Sequence, residues 1–373
     1  MIVRARTEIN EELLCGILGG EEYNLQVPEM CYFFNSGSAS LRFFLRLIGP
    51  GRKVGVQVFT CSTVLDAIIQ EDCDPVFLDI NPCYYTTTID YVKNAIGKID
   101  ILLLTHLYGI PNPDYISIKQ LCYDHHVVLI DDLCHTFHSK IGDSLLEDLS
   151  DNYIYSFFYD KPISSISGGM LKLSNKYKDK ADEMYRLLPI LDIKNGRNHL
   201  RVLLMMHKLL SPDIYTKEFR NGNFWKWILE KWPMNWNIRN LNRLLHSKLI
   251  RILDKMIKTR KKDNISRMSD VEMSYVLSMM NTYQNNNQIL LDVYRRNKKE
   301  LPAYLTDSSI EVSVAKRAIV GSNVEANGVQ IGLYNWPELI CGKEDYHKYP
   351  NAVSVINTNI NIPTWKEADI KFL

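Results

Sequence analysis

Apolar residues in the first half of the chain fall in short, nearly continuous runs separated by amphipathic stretches. Lys53 to Phe59 (KVGVQVF), Pro75 to Ile80 (PVFLDI), Ile101 to Thr105 (ILLLT) and Val127 to Ile130 (VVLI) read as strands. Between them, Ser62 to Glu71, Ile89 to Ile96 and Ile116 to His125 carry the helical period. Strands without polar alternation are buried on both faces, and repeated β–α units supply the helices that cover them. The pattern predicts an α/β fold with a parallel sheet covered by helices on both faces. In such sheets ligands gather beyond the C-terminal strand ends, where Thr60, His106, Asp132 and His135 fall. No G-x-G-x-x-G follows the first strand, which disfavours a nicotinamide dinucleotide site.

Two flanking stretches complete this part of the chain. Glu8 to Leu18 reads as a short helix ending at Gly19-Gly20. An aromatic run, Tyr32 to Phe34, leads through Asn35-Ser36-Gly37-Ser38-Ala39-Ser40 into a helix over Leu41 to Ile48. Strand, small-residue turn and helix aim free backbone N–H groups at an anion, although Ser and Asn also serve as ordinary helix caps. Asn152 to Met170, NYIYSFFYDKPISSISGGM, sets Lys161 just past a buried aromatic strand and before a Ser/Gly-rich turn, with an apolar segment, Met170 to Leu173, after it. A lysine between apolar walls loses part of its preference for charge and can attack a carbonyl. A surface-loop lysine is the alternative reading.

From about Asn175 to Lys262 the pattern turns helical: Lys178 to Leu188, His199 to Leu210, Phe224 to Lys231 and Arg239 to Thr259. Helix resumes over Asp270 to Met280 and on to Leu301, followed by short strands (Ser309 to Val314, Gly328 to Leu333) and a Pro/Asn-rich end. The division expected is a large domain over 1–175, a helical insertion over 176–262, and a contact helix with a smaller C-terminal α/β domain over 263–373. There is no internal repeat.

Charge sharpens this division. The chain of 373 residues is +1 overall, so no global field draws nucleic acid, and none is expected as a partner. Residues 217–262, however, hold thirteen Lys/Arg against three Asp/Glu, together with Trp225, Trp227, Trp232 and Trp236. Such a segment can pack its tryptophans on the body, cover an anionic substrate, or lie on a membrane surface. No apolar run reaches the roughly 18 residues of a membrane span. The eight cysteines (15, 31, 61, 73, 83, 122, 134, 341) show no C-x-x-C and no metal-ligand spacing, which suits a reducing cytoplasm. The N-terminus lacks the apolar core of a signal peptide.

Asp131-Asp132-Leu133-Cys134-His135-Thr136-Phe137-His138 admits three readings. They are capping groups beyond a strand, a metal cluster for which no further ligand is in sight, or a carboxylate that keeps a pyridine nitrogen protonated so that the ring can act as an electron sink.

The order of these pieces resembles the DegT/StrS family of pyridoxal-phosphate sugar aminotransferases. The shared motifs are S-G-S-A-S-L at 36–41, VFT at 58–60, DPVFLDI at 74–80, THLYG at 105–109, IDDLCH at 130–135, YSFFYDK at 155–161 and Arg267-Met268-Ser269-Asp270, with a final stretch from Tyr349-Pro350-Asn351-Ala352 to Asn361-Ile362-Pro363. The resemblance implies fold type I of the PLP-transferases, an α/β fold whose large domain has a mixed, mostly parallel sheet covered by helices, with pyridoxal 5'-phosphate as cofactor and a homodimer with shared active sites. It implies Lys161 as the Schiff-base lysine, Asp132 at the pyridine nitrogen and His135 near the phenolic oxygen. Gly37, Ser38 and Ser156 would hold the phosphate. Its substrates would be an amino-acid donor, usually glutamate, and a keto sugar, most often nucleotide-linked, in surface-polysaccharide or related biosynthesis.

Three departures stand out. Cys61 occupies the place of the aromatic that stacks on the cofactor ring. The turn after the lysine, T-T-G-E-G-G in the family, is Ser164-Ser165-Ile166-Ser167-Gly168-Gly169 here, with serine at the glutamate's position. The asparagine donated across the dimer has Ile265 at its place and Asn264 one residue off. A non-catalytic scaffold or sensor is therefore an alternative. So is a sugar dehydratase, although dehydratases of this family carry histidine in place of the lysine.

Overall fold

The computed structural model describes residues 9–21, 26–158, 161–209, 265–285, 287–313, 317–320, 324–326, 329–331, 338–358, 360–363 and 370–372. The basic, tryptophan-rich stretch 217–262, with its two predicted helices, and Asn264 lie outside the described residues.

The apolar runs build a seven-stranded sheet. Its strands are β1 (Cys31–Phe34), β2 (Lys53–Gln57), β3 (Asp74–Leu78), β4 (Ile101–Thr105), β5 (Val128–Asp132), β8 (Tyr153–Ser156) and β9 (Gly169–Lys172), in the order β1-β9-β8-β5-β4-β2-β3. Neighbours from β3 to β8 are parallel; β9 runs against both β8 and β1. All five residues of β4 are buried, as its unbroken run ILLLT requires. Helices α1 (Glu11–Gly19), α2 (Gly37–Ile48), α3 (Ser62–Gln70), α4 (Ile89–Ala95) and α5 (Tyr115–Asp124) come before β8, with the single turn α6 (Leu146–Leu149). Two apolar clusters fill the sheet's faces, one around Phe33, Leu102 and Tyr275, the other around Phe34, Phe44 and Ile130. Alternate residues of β1 and β4 feed opposite clusters, as the two-residue period of a strand dictates.

Helix α2 differs from the expectation in an important way. It starts at Gly37, four residues before the predicted Leu41, because Ser36 caps it: the Ser36 side chain accepts the Ala39 N–H at 3.0 Å. The small-residue stretch is therefore the first turn of a twelve-residue helix, and its leading N–H groups have no acceptor within the helix.

Past the sheet, α7 (Lys178–Arg186) and α8 (Ile193–Leu209) begin the predicted insertion, yet Ala181, Leu200 and Leu203 are fully buried in the two clusters. The chain returns along the outer edge of β1, where the Met268 N–H donates to Phe33 O, the Asn35 N–H donates to Ser266 O, and the Ser266 N–H donates to the Asn35 side-chain oxygen. It then enters α9 (Asp270–Asn281). The helix expected to run on to Leu301 is two helices, α9 and α10 (Asn287–Arg296), the second ending five residues earlier. Asn285 separates them, its side chain donating to Val312 O and accepting from the Asn287 N–H. Asparagine competes with the helical ladder in this way wherever its side chain finds local backbone.

The C-terminal part holds α11 (Ala303–Thr306), α12 (Pro350–Thr358) and short antiparallel strands. Its β10 (Ile310–Glu311) pairs with β6 (Lys140–Ile141), which pairs with β7 (Ser144–Leu145). A third cluster, around Phe59, Tyr108, Tyr304 and Val355, joins this part to the sheet's outer region.

Candidate functional site

Six of the seven strands of the main sheet end on one edge, and the predicted site residues collect there after five of them. Ser36 follows β1, Cys61 caps α3 after β2, His106 follows β4, Asp132 closes β5, and Ser156 closes β8. The parallel direction of these strands brings residues separated by more than a hundred positions to the same rim.

At the β1 end, Gly37 allows an unusually close approach. A Cβ there would sit 2.7 Å from Ser156 Cβ. One placed on Gly169 would lie 2.5 Å from Ser36 O and 2.6 Å from Gly37 Cα. Two glycines thus press the first turn of α2 against the end of β8 and the start of β9. The resulting cradle combines the leading amides of α2, the Ser156 hydroxyl beside Gly37 and the positive end of a helix, a donor set suited to a phosphate.

Asp132 is nearly buried and accepts the Cys134 N–H on Oδ1 at 3.0 Å. Its neighbour Asp131 faces the opposite side of the sheet, fully buried, and meets His106 Nε2 at 3.3 Å and the Tyr115 hydroxyl at 3.0 Å. The two adjacent acids therefore have separate surroundings. His106 Nδ1 accepts the Asn112 N–H at 3.0 Å, so its ring proton sits on Nε2 and points at Asp131.

His135 repeats that logic beside the lysine. The Tyr108 N–H faces Nδ1 at 3.3 Å, which leaves the ring proton on Nε2. That nitrogen lies 2.6 Å from Lys161 Nζ. Tyr108 can aim its amide this way because it is left-handed, at φ 58°, and Gly109 follows at φ 85°. A non-glycine residue in that region is uncommon and costs backbone energy. Lys161 is half-buried, its own N–H donating to Phe158 O and its carbonyl accepting from the Ser164 hydroxyl.

Two cysteines border the pair. Cys61 is half-buried, its sulfur 3.1 Å from Thr63 Oγ1. Burial first, and nearby Asp132 next, push the Cys134 thiol well above its ordinary range, so it is a poor nucleophile at neutral pH. Among the described residues, no group of three or more His, Cys, Asp or Glu side chains is placed to hold a metal ion.

Sequence reasoning found the rim but missed its supports. Tyr108 lies in the THLYG motif, yet nothing in that motif shows that its amide sets a histidine tautomer. Gly169 was legible only as part of a turn. Glu272 stands three residues after Ser269, the spacing of a helix capping box, which hides its actual contacts.

A seven-stranded sheet with one reversed strand, a lysine on the loop after β8, an aspartate ending β5 and an anion cradle at the head of α2 define the type I α/β transferase architecture. The chain belongs to the DegT/DnrJ/EryC1/StrS aminotransferase family, whose model matches residues 26–315. It is 31% identical over 140 residues to the UDP-N-acetyl-3-dehydro-alpha-D-glucosamine 3-aminotransferase of Acidithiobacillus ferrooxidans, a match covering 36% of this chain and 38% of that protein. With the Spore coat polysaccharide biosynthesis protein SpsC of Bacillus subtilis it shares 22% identity over 336 residues, 89% of this chain and 79% of that one. In three dimensions it resembles a putative sugar aminotransferase, Spr1654 of Streptococcus pneumoniae, solved in a PMP form. The TM-score is 0.63 at 16% identity, covering 97% of this chain and 92% of the other. The aminotransferase TlmJ of Streptoalloteichus hindustanus superposes with a TM-score of 0.65 at 14% identity, covering 97% and 93%. At these identities the structural likeness speaks for the fold.

Proposed function

We propose that this protein is a pyridoxal-phosphate-dependent aminotransferase that moves an amino group from an amino acid, glutamate by family habit, to a keto sugar. The observation that carries the reading is the Lys161 amine, held 2.6 Å from His135 Nε2 on the same strand rim as Asp132 and the glycine-built cradle. The residues fit the cofactor chemically: a phosphate needs N–H and O–H donors, an aldehyde needs an amine, and a pyridine nitrogen needs a carboxylate to stay protonated. When bound, pyridoxal phosphate supplies a carbonyl that captures amines and a ring that accepts an electron pair.

The protein's own contribution is to bind, orient and move protons. Gly37 and Ser38, with Ser156, hold the phosphate. Asp132 carries negative charge at the ring nitrogen. His135, whose Nε2 lies beside Lys161 Nζ, would sit near the ring's phenolic oxygen. Lys161 anchors the cofactor and, once released, takes and returns a proton at Nζ as general acid and base. Asn264 is proposed, from the resemblance alone, as the phosphate ligand given across a homodimer.

For the sugar, the support is the family and the printed activities of relatives such as the Acidithiobacillus enzyme and the GDP-perosamine synthase of Vibrio cholerae, of whose lengths the matched stretch spans 38% in each case. A nucleotide-linked keto sugar in surface-polysaccharide synthesis is the substrate class proposed, with a cytoplasmic location. Contact of the basic 217–262 stretch with a membrane surface or membrane enzyme is a subsidiary proposal. No helix among the described residues is long and apolar enough to cross a membrane.

The test is spectroscopic. Purified protein with pyridoxal phosphate should show a near-visible band that borohydride bleaches and glutamate converts to the amine form, and Lys161→Ala should abolish it. Mass spectrometry of the reduced adduct should place the label on Lys161. A wild-type protein that stays colourless on adding cofactor would support the scaffold reading instead. Screening 3-keto and 4-keto nucleotide sugars for recovery of the band identifies the acceptor.

A further inference from the structure

One buried carboxylate takes no direct part in that chemistry. Glu272, on the first turn of α9, has only 1% of its surface exposed. Its Oε1 accepts from His199 Nδ1 at 2.8 Å and from the Ser167 hydroxyl at 3.2 Å, and its Oε2 accepts from the Ser269 hydroxyl at 2.9 Å. Ser167 Oγ also lies 3.2 Å from His199 Nδ1. Three separate elements meet on one acid: the turn after Lys161, the head of α9, and α8.

The spacing Ser269-x-x-Glu272 is that of a capping box, in which the glutamate would reach back to the N-cap amide. Here Ser269 makes no side-chain cap bond to the helix, and the carboxylate is turned toward Ser167 and His199 instead. Helix α8 is built to meet it. Gly196 lets α8 approach so closely that a Cβ would lie 2.0 Å from Ser269 Oγ and 2.8 Å from Val271 Cγ1. His199, three residues on, shares that face of the helix.

Ser167, in the lysine turn, meets this acid, and the turn's two ends bear directly on the site. Its start is Lys161. Its end, Gly168-Gly169, donates the Gly168 N–H to Asn35 O and packs against Gly37 at the cradle. Ser167 also stands where the family's turn carries its glutamate. Its hydroxyl meets the Glu272 carboxylate, 105 residues further along the chain.

We propose that Glu272, acting through Ser167 and held by His199, is a positioning residue that fixes the lysine turn between Lys161 and the phosphate cradle. The inference rests on the cofactor reading above and deepens it.

The test compares wild type with Ser167→Ala, Glu272→Ala, Glu272→Gln, and the double variant Ser167→Glu with Glu272→Gln, which moves the carboxylate back to the turn. The readouts are the dissociation constant of pyridoxal phosphate from protein fluorescence, the near-visible spectrum of bound cofactor, and the fraction trapped on Lys161 by borohydride. Losing one buried hydrogen bond to a charged group predicts about ten-fold weaker cofactor binding in Ser167→Ala, with a smaller trapped fraction. The double variant should bind more tightly than Glu272→Gln alone. Should Glu272→Ala fail to fold, Ser167→Ala, which removes a single hydroxyl, and the charge-relocated pair still decide the matter. A folded Ser167→Ala with wild-type affinity and spectrum overturns the positioning role. So does a double variant no better than Glu272→Gln. Wild type that binds no cofactor would instead overturn the functional reading together with this one.

Discussion

A methyl group at Gly37 should damage the anion cradle more than it damages the fold. In Gly37→Ala the new Cβ would lie 2.7 Å from Ser156 Cβ, against the 3.4 Å at which ordinary contact begins, so something must move by 0.7 Å. Rotation of the serine does not help, because a Cβ position is set by backbone. Overpacking of this kind costs about 1–3 kcal/mol, partly offset by the better helix propensity of alanine. Shifting the helix head by that much lengthens a 2.9 Å N–H···O contact to about 3.6 Å, past the useful range. A hydrogen bond to a charged group is worth about 1.5–3 kcal/mol, so pyridoxal phosphate affinity should fall roughly ten- to a hundred-fold. The assay is a fluorescence titration with cofactor, alongside thermal melting with and without it. Ser156→Gly in the same chain should relieve most of the clash, leaving the Cβ 3.2 Å from the residue-156 Cα, and recover part of the melting temperature, though not the hydroxyl's share of binding. Wild-type affinity in a folded Gly37→Ala protein would refute the cradle.

Three further outcomes follow from other parts of the molecule. Gly109→Ala should destabilise the protein by more than about 3 kcal/mol, since φ is 85° and the Cβ would lie 1.9 Å from Ser313 O; a urea midpoint measures it. Cys61→Phe should tighten cofactor binding by roughly five-fold, if a ring there gains about 1 kcal/mol of stacking, as read from the same titration. Burial, opposed only in part by Lys172, pushes the Cys31 thiol up to about 11. An unfolded thiol ionises near its ordinary value of 9.0 while the folded one keeps its proton. The unfolded state therefore binds fewer protons, and stability should decline as pH rises from 9 to 11. Urea midpoints across that window should show the decline, and Cys31→Ser should make it shallower, the buried Cys122 and Cys134 thiols, also pushed up by burial, keeping the remainder.

The primary structure by itself determined the strands and their companions. An unbroken run such as ILLLT has no polar face to leave in water, so it must be covered on both sides, and β–α alternation provides the cover. It also placed Asp132 at a strand end and Lys161 on the loop after the next long strand, because those positions follow from local pattern. Only the tertiary structure decided which neighbours those strands have. Strand β9 turns back between β1 and β8, and that reversal presses Gly169 against Gly37. Side-chain alternation cannot reveal the choice, since a strand reads the same in either direction. Nor could local pattern reveal that Glu272 abandons a capping box for Ser167, or that Tyr108 sets the His135 tautomer. Each depends on atoms brought together by long-range packing, whose geometry no short window of residues contains.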